Sequence, residues 1–539
     1  MPTFNRAARC GLTASRQDRA TCSHTAATHK TRVSLTAHTC NMAALAPKAR
    51  VSLRATLVET GLLRTKGLIN GKWLSAASGK TFKVHDPATD TEVASVASFG
   101  EADAKLAVSA AEQSFDAWRS KTMQERGRVL SQWSYLISKN STDLATIMCL
   151  ESGKPKMESK GEVNYAISFI NMYASMQSSG LVLPAQADNH LLLATKEPIG
   201  VCSLLTPWNF PAAMFTRKAA PALMAGCTIV LKPAEDTPLT ALALAWLWEE
   251  AGGPKGVVNV VPTPRDLVQE VGNVLATDEA VRKISFTGST AVGKLLLKQA
   301  ASTVKKTSME LGGNAPFVVF DDANLDRAVD GAMSAKFRFG GQACIAPNRF
   351  LIQEGIYEAF VAKMAERIRA LCVGDGLEPR TNMGPLINLA ARDKVAGLVD
   401  DAVEKGAEPV CGGNVEHEMG ANFFAPTLLT GVTLDMRISQ EEIFGPVVAI
   451  MKFKEAEEAL TISNSSRSGL AGYIYTQDYS RAMRFAGKLE VGMVGINESY
   501  ISSCVAPFGG VKESGMGREG SAMGLDEFME VKHICLGGI

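Results

Sequence analysis

From about Leu68 onward, short unbroken apolar runs alternate with longer stretches whose apolar residues recur at helical spacing. Residues 199–205, 228–231 and 257–261 are runs of strand length. Between them, 214–225 is closed by Gly226 and 237–251 by Gly252-Gly253, which reads as two helices. Residues 283–286 form a further strand, with a helix after Gly288. Upstream, Thr122 and Glu125 have capping-box spacing ahead of a stripe of Val129, Leu130, Trp133, Leu136 and Ile137. Strands covered on both faces read as continuous apolar runs, so this alternation predicts a mostly parallel, doubly wound sheet. A second series follows: strand 317–320, helix 325–337, strand 350–352, helix 357–371, and strands 447–451 and 472–475. The fold class is therefore α/β, with two doubly wound domains in tandem and neither an internal repeat nor a low-complexity linker.

Composition narrows the partners. With 539 residues the chain can hold two or three domains. Its net charge of +1 and 21% charged residues give no support for a nucleic-acid surface or a basic membrane patch. The longest uncharged stretch, 198–216, contains three prolines and is no membrane span. The 11 cysteines (Cys10, Cys22, Cys40, Cys149, Cys202, Cys227, Cys344, Cys372, Cys411, Cys504 and Cys535) are scattered, with no metal-site spacing, and read as free thiols in a reducing compartment. Residues 1–58 differ from the rest. Arg6, Arg9, Arg16, Arg19, Lys30, Arg32, Lys48, Arg50 and Arg54 face a single acid, Asp18, in a background rich in Ser, Thr and Ala. That is transit-peptide composition and favours a mitochondrial destination; a disordered basic leader of a cytoplasmic protein is the alternative.

Candidate chemistry lies in a few strings. Gly288-Ser289-Thr290-Ala291-Val292-Gly293-Lys294 nearly spells a phosphate-cradling loop, but Leu295 stands where a magnesium ligand is needed, which disfavours a triphosphatase. A strand, a glycine turn and a helix start still suit a dinucleotide pyrophosphate; a plain turn is the alternative. Lys232-Pro233-Ala234-Glu235 follows a strand, where an acid can accept both hydroxyls of an adenosine ribose and repel a 2′-phosphate. Asn209, on the loop Thr206-Pro207-Trp208-Asn209-Phe210-Pro211, could donate to an oxyanion or simply turn the chain. Glu310-Leu311-Gly312-Gly313 and Gly340-Gly341-Gln342-Ala343-Cys344 pair a carboxylate with a thiol. That pairing suggests covalent catalysis, with the thiolate attacking a carbonyl and the carboxylate managing a proton or a water.

Together with Glu442-Ile443-Phe444-Gly445-Pro446, the order and spacing of these strings resemble the aldehyde dehydrogenase superfamily from about Leu68 to the C-terminus. Glu310–Phe317, Lys336-Phe337-Arg338, Phe215-Thr216-Arg217-Lys218 and Val505–Gly510 look most like its succinate-semialdehyde subfamily. The resemblance implies Cys344 as nucleophile, Glu310 as base and Asn209 as oxyanion donor. It implies NAD, with NADP as the alternative, along Pro207, Trp208, Lys232, Glu235, Gly288, Ser289, Gly293, Leu311, Glu442 and Phe444. Arg217, Arg338 and Ser502 would hold the distal carboxylate of a small aldehyde, as expected for 4-aminobutyrate breakdown. No metal is implied. The expected organisation is a discontinuous Rossmann-like cofactor domain (60–180 and 196–309), a catalytic domain (310–498), and a small β oligomerisation element (181–195 and 499–539) building a homodimer or homotetramer. The chain departs from the subfamily at Ala346-Pro347, which leaves no second cysteine beside the nucleophile, and at Phe339-Gly340, which replaces a more polar pair. These changes keep longer semialdehydes such as glutarate semialdehyde in play. A cofactor-free cysteine hydrolase or transferase and a silent binding protein are the other classes.

Overall fold

A computed structural model describes residues 47–538, apart from 179, 186 and 187. Five parallel strands form the centre of the first sheet: Val201–Leu205, Thr228–Lys232, Val258–Val260, Val281–Thr287 and Lys306–Glu310. Numbered along the chain, their spatial order is 3-2-1-4-5. Gly67–Ile69 and Lys72–Leu74 add antiparallel strands at one edge and Gly515–Met516 at the other. Thr228–Lys232 is buried at every position, as a strand covered on both faces must be.

The helices between these strands follow their sequence signals. Pro211–Ala225 begins with proline at its first position and ends at Gly226 in the left-handed region (φ 104°). Met123–Lys139 carries the expected capping box: Glu125 N–H donates to the Thr122 hydroxyl, and Thr122 N–H to the Glu125 carboxylate at 2.8 Å. Such a cap contributes about 1 kcal/mol. Its Trp133 packs edge-on against Trp248 and Phe215, at 5.6 and 5.8 Å between ring centres, which fastens this helix to Pro238–Glu250 and Pro211–Ala225.

The second sheet has the order Glu408–Cys411, Thr427–Thr430, Val447–Phe453, Pro347–Gln353, Ala315–Val319, Ala471–Tyr475 and Met493–Ile496. All its pairings are parallel except that of Glu408–Cys411. A third sheet joins Leu181–Leu183, His190–Pro198 and Met529–Gly537. Only 529–537 of the expected 499–539 segment enters it. The stretch before it returns to the groove between the large sheets, where Gly515–Met516 pairs with Met309 and Glu310.

Residues 1–46 of the expected leader lie outside the described residues. Its remainder is part of the body: Pro47–Glu59 is a helix, Leu57 is buried, and Arg50 is paired with both Asp86 and Asp375. Arg54 donates to the Glu92 carbonyl at 2.8 Å. Basic composition does not distinguish a solvated arginine from one that folding pairs.

Candidate active site

In an open parallel sheet, ligands bind outside the carboxyl ends of the strands where the strand order reverses. Here that point lies between Val201–Leu205 and Val281–Thr287, and the loops leaving them carry Pro207, Trp208 and Asn209 on one side and Gly288 and Ser289 on the other. A cavity of about 260 Å³ opens there, lined by those five residues with Glu310, Leu311, Gly312, Cys344, Glu442 and Phe444. A second cavity of about 210 Å³ is lined by Arg217, Arg338, Ser502, Tyr165, Phe210, Phe508 and, again, Cys344. The thiol thus stands at the junction of the two.

Local backbone requirements explain the strings around it. After the helix Leu325–Phe337 the chain passes through three left-handed residues, Phe339 (φ 48°), Gly340 (φ 58°) and Gly341 (φ 77°). A Cβ on Gly341 would lie 2.3 Å from the Gly445 carbonyl, so only glycine fits. Gly313 passes so close to the nucleophile that its Cβ would sit 2.2 Å from the Cys344 carbonyl oxygen. The Gly-Gly following Glu310 is therefore what lets the end of the first sheet approach the cysteine turn. Asn209 Nδ2 donates to the Gln342 carbonyl at 2.9 Å, fixing the amide plane beside Cys344. The Asn209 backbone carbonyl accepts from Lys154 Nζ at 2.7 Å.

Electrostatics raise both members of the resting pair. Burial, then the nearby carboxylates Glu442 and Glu310, push the Cys344 thiol up to about 12, while Arg217 and Arg338 oppose this. Burial and the charge of Glu519 hold Glu310 well above the usual carboxylate range, and its Oε2 has no hydrogen-bond partner. A thiol titrating near 12 is protonated throughout the neutral range. Alkylation of Cys344 by iodoacetamide in the ligand-free protein should therefore rise about tenfold per pH unit between roughly pH 7 and 9. Peptide mass spectrometry reads this directly, and a rate independent of pH would mean a preformed thiolate.

On the dinucleotide side, Glu442 accepts the Gly313 N–H at 3.0 Å, and burial raises its carboxyl. Phe444, itself left-handed (φ 54°), meets Trp208 edge-on at 5.4 Å. Glu235 is paired with cations. It accepts from Arg265 Nη1 at 2.9 Å and lies 4.0 Å from Lys232 Nζ, so a cation flanks its carboxylate on each side. Lys232 and Glu235 stand outside the 260 Å³ cavity, at the end of the neighbouring strand. Gly293 does not line it either: its Cβ would fall 2.4 Å from Leu311, so it is the packing glycine of the helix Thr290–Ala300.

On the other side, Arg217 is buried with Nε 2.7 Å from Glu519, its guanidinium over Phe508 at 4.1 Å, and its Nη2 without a partner. Arg338 rests over Phe210 at 5.2 Å and makes no hydrogen bond or ion pair with any described residue. Ser502 is buried and hydrogen-bonded to the Tyr165 hydroxyl. Sequence reasoning missed Lys154, Glu158, Tyr165, Lys218, Phe508 and Glu519. One signal existed: Arg217-Lys218 interrupts an otherwise apolar helix, and buried cations require a buried acid, which is Glu519. Among the described residues no group of three or more His, Cys, Asp or Glu could hold a metal ion.

Comparison with known proteins places this arrangement. The chain is 51% identical over 481 residues to the mitochondrial succinate-semialdehyde dehydrogenase of Mus musculus, covering 89% of this chain and 91% of that protein. The crystal structure of an NADP-dependent enzyme of E. coli superposes with a TM-score of 0.87 at 47% identity, covering 89% of this chain and 99% of the other. Betaine aldehyde dehydrogenase of Staphylococcus aureus, solved in complex with NAD+, superposes with a TM-score of 0.87 at 34% identity, covering 91% and 97%. The sequence pattern of the aldehyde dehydrogenase family matches residues 73–534, and the chain belongs to that family.

Proposed function

We propose that the protein oxidises succinic semialdehyde to succinate with a nicotinamide dinucleotide, NAD in the first place. The observation that carries this reading is the placement of Cys344 on two cavities, one holding two arginine side chains and the other the Gly288 turn and Glu442. The arginines supply donors for a carboxylate. The residues also fit a dinucleotide: Gly312 leaves a cradle in which a Cβ would come within 3.0 Å of Glu442, and the helix Thr290–Ala300 presents its N-terminus beside Gly288. Glu442 and Phe444 would face the nicotinamide riboside, and Lys232 and Glu235 the adenosine ribose. The Arg265–Glu235 pair leaves a cation at that ribose, which supports some use of NADP.

Cys344 loses its proton to Glu310 and its sulfur adds to the aldehyde carbon, giving a thiohemiacetal whose oxyanion accepts from Asn209 Nδ2 and the Cys344 N–H. The dinucleotide, when bound, supplies the two-electron acceptor for the hydrogen on that carbon, which leaves a thioester on Cys344. Glu310, its first proton released to solvent, then takes a proton from water as the water attacks the thioester and returns it to the departing sulfur, releasing succinate and the thiol. The expected result is NADH absorbance when purified protein receives NAD and succinic semialdehyde, with lower kcat/KM for glutarate semialdehyde and for NADP. No reduced dinucleotide from any aldehyde would overturn the reading.

In this reading 60–180 and 196–309 make the cofactor domain, 310–498 the catalytic domain, and the third sheet joins subunits. Met529–Gly537 is an edge strand with exposed backbone, which supports a homodimer or homotetramer; a monomer in sedimentation velocity would rule this out. The basic leader, residues 1–58, would direct the protein to mitochondria, the destination in the mouse relative's name. A fluorescent fusion of residues 1–60 that stayed cytosolic would exclude that.

A further inference from the structure

We infer that Phe339 is a positioning residue for the oxyanion site, acting through Lys154 on Asn209; this rests on the reading of Asn209 given above. Phe339 is almost fully buried, yet its backbone is left-handed (φ 48°), a region costly for a bulky residue and natural to glycine or asparagine. Its conformation is held from outside the turn: Phe339 N–H donates to Glu158 Oε2 at 2.7 Å. The strain places the ring where packing alone does not explain it. The Lys154 ammonium lies 4.5 Å from the Phe339 ring centre and 4.0 Å from that of Phe210, so two aromatic faces flank one buried cation.

That cation has two further partners, the Glu162 carboxylate and the Asn209 carbonyl, the latter at 2.7 Å. Glu162 in turn accepts the N–H groups of Ala212 and Ala213 at 2.9 and 3.2 Å, at the start of the helix that follows Asn209. Lys154 therefore pins the Asn209 backbone from one side while the Gln342 carbonyl pins its amide from the other. A buried ammonium has long, rotatable bonds and needs its remaining surface filled to keep one position. The two rings fill it, and Phe210, the residue next to Asn209, extends the same loop. Phe339 also touches Trp208 edge-on at 6.2 Å, so the loop 208–210 is gripped on both sides of Asn209.

The chemistry makes the consequence specific. A donor displaced from where the oxyanion forms loses its effect on the transition state while ground-state binding is little altered. Phe339→Leu keeps bulk and apolarity but removes the aromatic face. It should lower kcat about tenfold, with KM within about twofold, equally for succinic semialdehyde and for uncharged propanal. Phe339→Tyr keeps the face and should recover most of the loss. In a Lys154→Met background, Phe339→Leu should add nothing further, because its path to Asn209 is already gone. The inference is overturned by Phe339→Leu with wild-type kcat, by a loss confined to the KM of the anionic aldehyde, by Phe339→Tyr failing as badly as leucine, or by additive losses in the double variant. The propanal arm does not involve the arginines. A wild-type protein that oxidised propanal but not succinic semialdehyde would sink the substrate assignment alone, and the Phe339 variants would still decide this inference.

Discussion

Cys344→Ala should lower aldehyde oxidation by about 10⁴-fold or more, the scale seen when a covalent nucleophile is removed, while dinucleotide binding stays near wild type. The thiol is the one reacting group shared by the two cavities, so neither Glu310 nor Asn209 can substitute for it. Alanine also disturbs little else, because the turn is fixed by Gly341, Gly313 and the Gln342 side chain, whose Oε1 accepts the Ile387 N–H at 3.0 Å. The companion variant Glu310→Gln separates the two roles of the carboxyl group. Without a base, both thiol activation and water attack slow, and kcat should drop about 10²- to 10³-fold. If deacylation suffers more, mass spectrometry of the reacting variant will show Cys344 carrying an acyl group. A Cys344→Ala protein that produced NADH at the wild-type steady-state rate would move the nucleophile elsewhere.

How legible this site was depends on where each residue sits. The parallel strands were readable because layers of helix cover both their faces, so their sequences are unbroken apolar runs, as in Thr228–Lys232. Lys306–Glu310 was not readable, since three of its five residues are charged or hydroxylated before Met309. Its Ser308 hydroxyl is satisfied by Glu527 at 2.7 Å, a partner more than two hundred residues away that no local pattern reveals. Lys156–Ala174 was also missed: it packs between the helices Met123–Lys139 and Pro211–Ala225, and so lacks the one-sided stripe that marks a surface helix. That helix and its approach bring Lys154, Glu158 and Tyr165 to the cavity that holds Arg217 and Arg338, which explains why those three escaped notice. The expected residues Pro207, Asn209, Gly288 and Glu310 lie at or just after strand ends, and Cys344 follows a glycine turn, where the backbone itself demands particular residue types. Gly293 shows the limit of this logic: its spacing suited a phosphate loop, but its use is close packing against Leu311.

Arg338→Ala should raise the KM for succinic semialdehyde about 10²-fold and change that for propanal less than about threefold. Losing one arm of a buried, charge-assisted clamp costs about 2–5 kcal/mol, and each 1.4 kcal/mol is tenfold. A value of about 2.8 kcal/mol, in the lower half of that range, applies because Arg217 remains. Arg338 is the cleaner test of the two, since it makes no hydrogen bond or ion pair with a described residue, and the nearby Glu158 carboxyl keeps Lys154 beside it when Arg338 is removed. Arg217→Ala should behave differently. Its Nε lies beside Glu519, and its charge is among those that lower Glu310 against the upward push of burial and of Glu519. Removing it leaves Glu519 with Lys218 alone and drives the Glu310 carboxyl still higher. An acid with a raised value is deprotonated only at higher pH, so the ascending limb of kcat against pH should move in the alkaline direction for every aldehyde. Arg338→Ala should leave that limb in place. Equal KM effects of Arg338→Ala on charged and uncharged aldehydes would remove the carboxylate clamp. An unshifted limb in Arg217→Ala would separate Arg217 from the base.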